Sequence, residues 1–76
     1  MKKYRVAVLG AGNIAGTHLE AIHELNDRVE AVAVADVSLE RLDHMAEKYG
    51  IHKYTDYEEM IVNEKSDIAI VALPPF

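Results

Sequence analysis

Residues 6–16 read Val-Ala-Val-Leu-Gly-Ala-Gly-Asn-Ile-Ala-Gly, and this stretch decides the fold. Its first four residues are a continuous apolar run of the kind that forms buried parallel strands. Gly10 follows where the chain must turn sharply, because glycine adopts backbone conformations that are closed to other residues. After the turn the apolar residues recur at helical spacing. The stretch is therefore predicted to form a strand, a tight loop and a helix.

The loop has the spacing Gly-x-Gly-x-x-Ala through Gly10, Gly12 and Ala15. With this spacing the second glycine lets the main chain approach a pyrophosphate, and the third small residue lets the helix pack closely on the strand. The N–H groups at the helix start then face the phosphates. The motif alone is a weak signal, because glycine-rich turns between a strand and a helix occur in many folds for purely steric reasons. It becomes specific because a second apolar strand ends at Asp36, at about the separation that the dinucleotide fingerprint requires.

Asp36 indicates which dinucleotide is bound. A carboxylate at the end of the second strand accepts hydrogen bonds from both ribose hydroxyls of NAD and repels the 2'-phosphate of NADP. The alternative for Asp36 is a helix cap or a solvated loop acid. Arg41 lies one turn into the next helix, where it could pair with Asp36, help to hold a 2'-phosphate, or be an ordinary surface residue. NAD is the expected cofactor, and Arg41 leaves NADP open.

The rest of the chain alternates between strand and helix patterns. Predicted strands cover residues 6–9, 29–35, 51–54 and 68–72. Predicted helices cover residues 13 to about 25, a segment capped by Ser38 and stopped by Gly50, and a segment that begins at a capping box at Asp56 and ends near residue 63 or 64. The resulting β-α-β-α-β-α-β pattern predicts an α/β fold, half of a doubly wound Rossmann fold, with a parallel sheet in the order 3-2-1-4 and helices on both faces.

The first helix is predicted to bury a stripe that contains Ile14, Ala21, Ile22 and Leu25. His18 falls on this stripe and is expected to be a packed structural histidine. The other histidines share no metal-ligand spacing, so no metal site is expected. The serines, tyrosines and acidic pairs lack the spacing for nucleophilic or acid–base chemistry, so no catalytic residue is assigned.

Composition limits the function further. The 76 residues suffice for one small domain, and 13 acidic against 8 basic residues give a formal net charge of -5. This charge disfavours nucleic acid and anionic membranes as partners. The absence of cysteine excludes disulfides and thiolate metal sites, and no apolar run approaches the length of a membrane span. A cytoplasmic protein is expected.

The chain resembles the N-terminal part of the Gfo/Idh/MocA family, named after glucose-fructose oxidoreductase and inositol dehydrogenase. The resemblance rests on Val-Leu-Gly-Ala-Gly-Asn-Ile-Ala at 8–15 with His18, Ala35-Asp36 leading through Arg41 to Ala-Glu-Lys-Tyr-Gly at 46–50, Tyr-Thr-Asp-Tyr-Glu-Glu-Met at 54–60, and Ile-Val-Ala-Leu-Pro-Pro at 70–75. It covers essentially the whole chain. One small departure is that the family often has Thr or Asn around the prolines, where this chain has Leu73-Pro74-Pro75.

The resemblance implies a parent enzyme that moves hydride between a nicotinamide cofactor and a sugar, polyol or related carbonyl compound. By position it implies a cofactor site in which Gly10, Gly12, Asn13 and Ile14 line the pyrophosphate, Asp36 and Arg41 face the adenosine ribose, and Leu73 and Pro74 border the nicotinamide. The family's Glu-Lys-Pro motif, acid–base histidine and substrate domain lie downstream of Phe76. Residues 1–76 are therefore expected to be a truncated dinucleotide-binding domain that is inactive alone.

Two other functions remain open at this stage. The chain could be a non-catalytic nucleotide-binding or redox-sensing module built on the same half-fold. A methyltransferase is less favoured, because its glycine loop usually carries an acid just before the first glycine, where this chain has Val8-Leu9.

The predicted strand order also places residues 68–72 at an open edge of the sheet. A long apolar edge without a partner strand is a template for another chain. Self-association through this edge is therefore expected, by pairing across a two-fold axis or by exchange of the last strand.

Overall fold

The computed structural model describes residues 3–25 and 27–72, which form a four-stranded parallel sheet with helices on both faces. In chain order the elements are β1 (Tyr4–Leu9), α1 (Asn13–Glu24), β2 (Val29–Ala35), α2 (Leu39–Tyr49), β3 (His52–Tyr54), α3 (Tyr57–Glu64) and β4 (Ile68–Val71). The strands lie in the order β3-β2-β1-β4, which confirms the predicted fold class and the predicted order 3-2-1-4. A helix connects each strand to the next one along the chain, and α3 carries the chain from β3 across the sheet to β4 beside β1.

Two small cores lie on opposite faces of the sheet. On one face α1 and α2 pack against the strands through Leu19, Leu42 and their neighbours, over Val6, Val8 and Val34. On the other face α3 inserts Met60 among small residues, namely Ala7, Ala33 and Ala35. Strand side chains alternate between the two faces, and both faces are covered by helices, which explains why β1 from Val6 and β2 from Ala31 are continuously apolar.

The predicted boundaries agree closely with the structure. Both β3 and β4 are one residue shorter than predicted, since Ile51 precedes β3 and Ala72 follows β4. Gly50 ends α2 in the left-handed conformation with φ 64°, and the Asp56 carboxylate caps α3 by accepting the N–H groups of Glu58 and Glu59. The first helix ends at Glu24 with Leu25 as its C-cap, close to the predicted end at about residue 25.

The predicted face of α1 was only partly correct, since Ile22 is buried as predicted but Ala21 is exposed. The helix buries Ala15, Leu19 and Ile22, whereas Ile14, Leu25 and His18 are exposed. The buried set follows the same i, i+4, i+7 spacing as the predicted one but is rotated around the helix. The small Ala15 lets α1 lie close to the sheet, which fixes this rotation. His18 is therefore not a packed core histidine.

A second correction concerns Ser38. It occupies the N-cap position of α2, but its side chain makes no capping hydrogen bond. Its backbone N–H is instead held by Asp36. None of the helices in the described parts of the chain has the length and apolar character that crossing a membrane would require.

Candidate functional site

The glycine loop lies at the carboxyl end of β1, between the sheet and α1. Gly10 has φ 107°, a conformation that side chains rarely adopt, so the backbone itself requires glycine at this position. Its N–H donates to the carbonyl oxygen of Ala35 at 2.7 Å, which ties the loop to the end of β2. The loop therefore leaves β1 in a fixed direction.

Gly12 requires a different explanation. It is the N-cap of α1, with φ -85° and ψ -165°, a conformation open to any residue. Apart from its chain neighbours, no heavy atom of the described residues would lie within 4 Å of a Cβ placed on Gly12. Neither backbone strain nor packing among the described residues therefore requires glycine here. The missing side chain leaves open space at the loop, which a ligand could fill.

The start of α1 is suited to an anion. The first N–H groups of a helix have no partner within the helix, and they carry a partial positive charge. No side chain caps α1 at Gly12, and its first turn has no acidic residue. Asn13 and Ile14, at the first two helical positions, are both exposed beside this end of the helix. This arrangement is typical of phosphate sites.

Asp36 is buried at the end of β2, with only 4% of its surface exposed. Its Oδ2 accepts the N–H of Ala11 at 2.7 Å, and its Oδ1 accepts the N–H of Ser38 at 2.8 Å. The Arg41 guanidinium lies 3.5 Å from Oδ1. Burial raises the pKa of the Asp36 carboxyl, but the two backbone hydrogen bonds and the Arg41 charge outweigh it and hold that pKa below its ordinary value. Asp36 is thus ionised at neutral pH.

A cleft of about 440 Å³ connects the glycine loop with α2. Gly12, Asn13 and Arg41, all predicted site residues, line it together. Four further residues complete the lining and were missed from the sequence: Ala11 of the loop, and Glu40, His44 and Met45 of α2. Helical spacing could have found two of them, because His44 and Met45 lie three and four residues after Arg41 on the same side of α2.

A larger, shallow cleft of about 930 Å³ lies along β3 and contains none of the predicted site residues. Its lining includes Asp43, Glu47 and Lys53, of which Asp43 and Lys53 pair with each other at 2.7 Å. We assign the functional site to the smaller cleft because the open loop and the helix start line it, together with Arg41, which pairs with the buried Asp36. Leu73 and Pro74, the predicted nicotinamide contacts, lie outside the described residues. Within the described ranges no cluster of histidine and acidic residues could hold a metal ion.

A glycine loop after β1, an uncapped helix start and a buried acid at the end of β2 together define a dinucleotide-binding α/β domain. Comparison with known proteins identifies the family to which this domain belongs. A family model described as the oxidoreductase family with an NAD-binding Rossmann fold matches residues 4–76. The chain belongs to this family, Gfo/Idh/MocA, and forms its NAD-binding domain.

Individual relatives agree. The inositol 2-dehydrogenase of Pseudarthrobacter chlorophenolicus is 34% identical over 73 residues, which cover 95% of this chain and 22% of that protein. The myo-inositol 2-dehydrogenase of Thermotoga maritima is 35% identical over 68 residues, covering 88% of this chain and 20% of that protein. The chain thus spans about a fifth of the length of these relatives.

Among solved structures, the WlbA dehydrogenase of Bordetella pertussis superposes with a TM-score of 0.92 at 27% identity. The match covers 96% of this chain and 22% of that one. That enzyme was crystallised in complex with NADH and UDP-GlcNAcA. The sequence prediction of family, fold and NAD as cofactor is confirmed.

Proposed function

We propose that this chain binds NAD with its pyrophosphate over the glycine loop and its adenosine ribose at Asp36. The observation that carries the proposal is Gly12, where glycine leaves space that none of the described residues occupies. The exposed start of α1 supplies partial positive charge beside this space, which favours the pyrophosphate. Gly10 fixes the loop, and Asn13 and Ile14 flank the approach to it.

Asp36 is placed to discriminate between NAD and NADP. The carboxylate is ionised, so it would accept ribose hydroxyls and repel a 2'-phosphate. Arg41 already lies against this carboxylate, at 3.5 Å, and is more than half exposed. Because it is engaged with Asp36, we expect it to offset the repulsion only in part, so NAD is preferred and NADP binds more weakly. Leu73 and Pro74 are proposed to border the nicotinamide.

The proposed parent activity is hydride transfer between NAD and a sugar, polyol or related carbonyl compound. The relatives that support it are named as inositol dehydrogenases and, for the Escherichia coli protein, as a D-glucoside 3-dehydrogenase. When bound, the nicotinamide would accept or donate the hydride. The described residues of this chain hold and orient the dinucleotide, and none is assigned a proton-transfer role. We therefore expect the 76-residue chain to bind NAD without turnover. Its cytoplasmic location stays a prediction.

The test is a fluorescence titration of the 76-residue chain with NADH and NADPH, repeated on Gly12→Ala. The methyl group would fill the space proposed for the pyrophosphate, so we expect NADH affinity to fall at least about tenfold. Folding should be unaffected, because the new Cβ meets no atom within 4 Å.

Gly50→Ala is the matched control. It adds the same methyl group at the end of α2, where the new Cβ also meets nothing within 4 Å and lies outside the lining of the cleft. We expect this variant to bind NADH like the wild type. Unchanged NADH binding in Gly12→Ala would contradict the proposed site, and equal binding of NADH and NADPH would contradict the role of Asp36.

We also propose that the chain self-associates through β4. This strand lies at one end of the strand order, so one edge has no partner strand among the described residues. Its residues are apolar throughout, and Val71 is 68% exposed. Antiparallel pairing of two β4 strands across a two-fold axis would place Ile68 opposite Val71 of a second copy, with no charged residue between them.

Sedimentation equilibrium over a range of concentrations tests this association. We expect a dimer that Val71→Lys weakens, because a charge on an edge strand opposes pairing. Val62→Lys is the matched control, since Val62 is 66% exposed on α3 and lies off the edge. A monomer at every concentration, or equal effects of the two variants, would refute the proposal.

A further inference from the structure

Asp36 connects the glycine loop with the start of α2, two segments whose relative position matters for binding a dinucleotide. Its Oδ2 accepts the N–H of Ala11, which lies 25 residues earlier in the glycine loop. Its Oδ1 accepts the N–H of Ser38 at the start of α2. Both oxygens of one buried carboxylate are thus engaged with backbone before any ligand is considered. A ribose acceptor alone would not need either bond.

The loop has particular need of such a bond. Ala11 stands between Gly10 and Gly12, and glycine loses more conformational freedom on ordering than any other residue. The loop is tethered to the end of β2 at two successive N–H groups. Gly10 donates to the Ala35 carbonyl at 2.7 Å, and Ala11 donates to the neighbouring Asp36 carboxylate at the same distance. The second tether is buried and charge-assisted, which makes it the stronger kind of hydrogen bond.

We propose that Asp36 is a positioning residue that holds the glycine loop in its binding conformation before the dinucleotide arrives. The positioning role does not depend on the proposed function. Only the contact of Asp36 with the ribose rests on it. The positioning role also affects cofactor preference. A substitution such as Asp36→Ala, which removes the repulsion of a 2'-phosphate together with both oxygens, also releases the Ala11 N–H, so it loosens the loop for NAD and NADP alike.

The surroundings of the carboxylate support this role. Arg41 from α2 faces Oδ1, and Tyr57 from α3 lies close enough that the Asp36 charge, together with burial, raises the pKa of its hydroxyl. The carboxylate stays ionised between them, as its lowered pKa indicates. Protonation of Asp36 would therefore weaken both backbone bonds at once.

The first experiment uses the labelled wild-type chain without any dinucleotide. Nuclear magnetic resonance follows the amide protons of Ala11 and Ser38 and the carboxyl carbon of Asp36 as the pH is lowered. We expect all three to change with one midpoint, below the ordinary range for aspartate. An Ala11 amide that does not follow the Asp36 carboxyl would overturn the proposal.

The second experiment compares amide hydrogen exchange in Asp36→Asn and Asp43→Asn. The asparagine at 36 keeps one acceptor oxygen and presents an NH2 group to the other N–H. Asp43→Asn removes the same charge from α2 at an exposed site that pairs with Lys53. We expect exchange at Ala11 to become about five- to a hundredfold faster in Asp36→Asn: the lower factor applies where the amide oxygen still accepts the Ala11 N–H as a neutral acceptor, and the upper one where the bond is lost.

Val8 in the core reports global unfolding in the same samples. Acceleration at Ala11 that does not exceed acceleration at Val8, or that also occurs in Asp43→Asn, would overturn the proposal. If Asp36→Asn does not fold, the wild-type titration decides. Both experiments are done without NADH, so their result does not depend on cofactor binding. If the bond between Ala11 and Asp36 does not position the loop, the NADH titration still tests the proposed function on its own.

Discussion

Replacement of Glu64 by alanine should destabilise the domain, because this acid lies at the meeting point of three elements. Its carboxylate is only 4% exposed at the end of α3. Oε1 lies 3.1 Å from Arg5 Nη2 of β1, and Oε2 lies 2.9 Å from His52 Nδ1 and 2.6 Å from the Tyr54 hydroxyl, both of β3. No other side chain described in the chain joins α3 to both β1 and β3 in this way.

The magnitude follows from how exposed the partners are. Hydrogen bonds to a charged group contribute about 1.5–3 kcal/mol each when buried. Arg5 and His52 are 41% and 73% exposed, so water screens their share to at most about 0.5 kcal/mol each. The alanine variant leaves no buried charge behind, since these two partners can turn to solvent. We therefore expect a loss of about 2 kcal/mol rather than the roughly 3–5 kcal/mol of a fully buried pair.

The effect should depend on pH. Burial raises the pKa of the Glu64 carboxyl, but its hydrogen bonds with Tyr54 and His52 and the charges of His52 and Arg5 hold that pKa below the ordinary value. The unfolded chain therefore binds a proton more readily than the folded one. The contribution of Glu64 is complete above the pKa of an ordinary glutamate, about 4.3, and is lost as pH falls through the folded value.

Urea unfolding of wild type and Glu64→Ala at pH 7, and again in acid, measures this prediction. In a thermal melt, the same loss of about 2 kcal/mol in the free energy of unfolding would lower the midpoint temperature of a domain of this size by about 8–16 °C. Glu47→Ala, the same change on the exposed side of α2, serves as control and should stay within about 0.5 kcal/mol. Equal losses in the two variants, or a difference between wild type and Glu64→Ala that does not shrink in acid, would refute the reasoning.

Three further substitutions test the backbone and the packing. Gly50→Ala should cost about 1 kcal/mol, because residue 50 has φ 64° while a new Cβ would contact nothing within 4 Å; a neutral result in urea unfolding would contradict the strain argument. Lys65→Gly should do the reverse and gain up to about 1 kcal/mol, since Lys65 ends α3 with φ 49°; a loss of stability would show that the lysine side chain matters more than its backbone. Gly16→Ala should be neutral or gain up to about 1 kcal/mol from helix propensity, because its Cβ would meet only the flexible end of Met45 at 3.2 Å. A melting temperature lowered by several degrees would indicate that Met45 cannot move aside.

The order of elements, the parallel sheet and the place of the glycine loop could be predicted from the sequence alone. These features depend on local chemistry that a single stretch contains. The apolar run before Gly10 can only be a buried strand, the left-handed turn at Gly50 ends a helix, and Asp56 caps the next one. Crossover connections and their handedness then restrict how such elements assemble.

The tertiary structure decided which faces are buried and what the charged residues do. Helical periodicity alone allowed two stripes on α1, and only close packing at Ala15 selects the one that exposes Ile14 and His18. The Asp36–Ala11 bond joins residues 25 apart, and the Glu64 network joins residues up to 59 apart. Local sequence patterns therefore predict neither of them. Glu64 reads in sequence as one more solvated helix acid. Its burial follows from the packing of α3 across β1 and β3, because long-range contacts, and not local propensity, determine where a charge is removed from water.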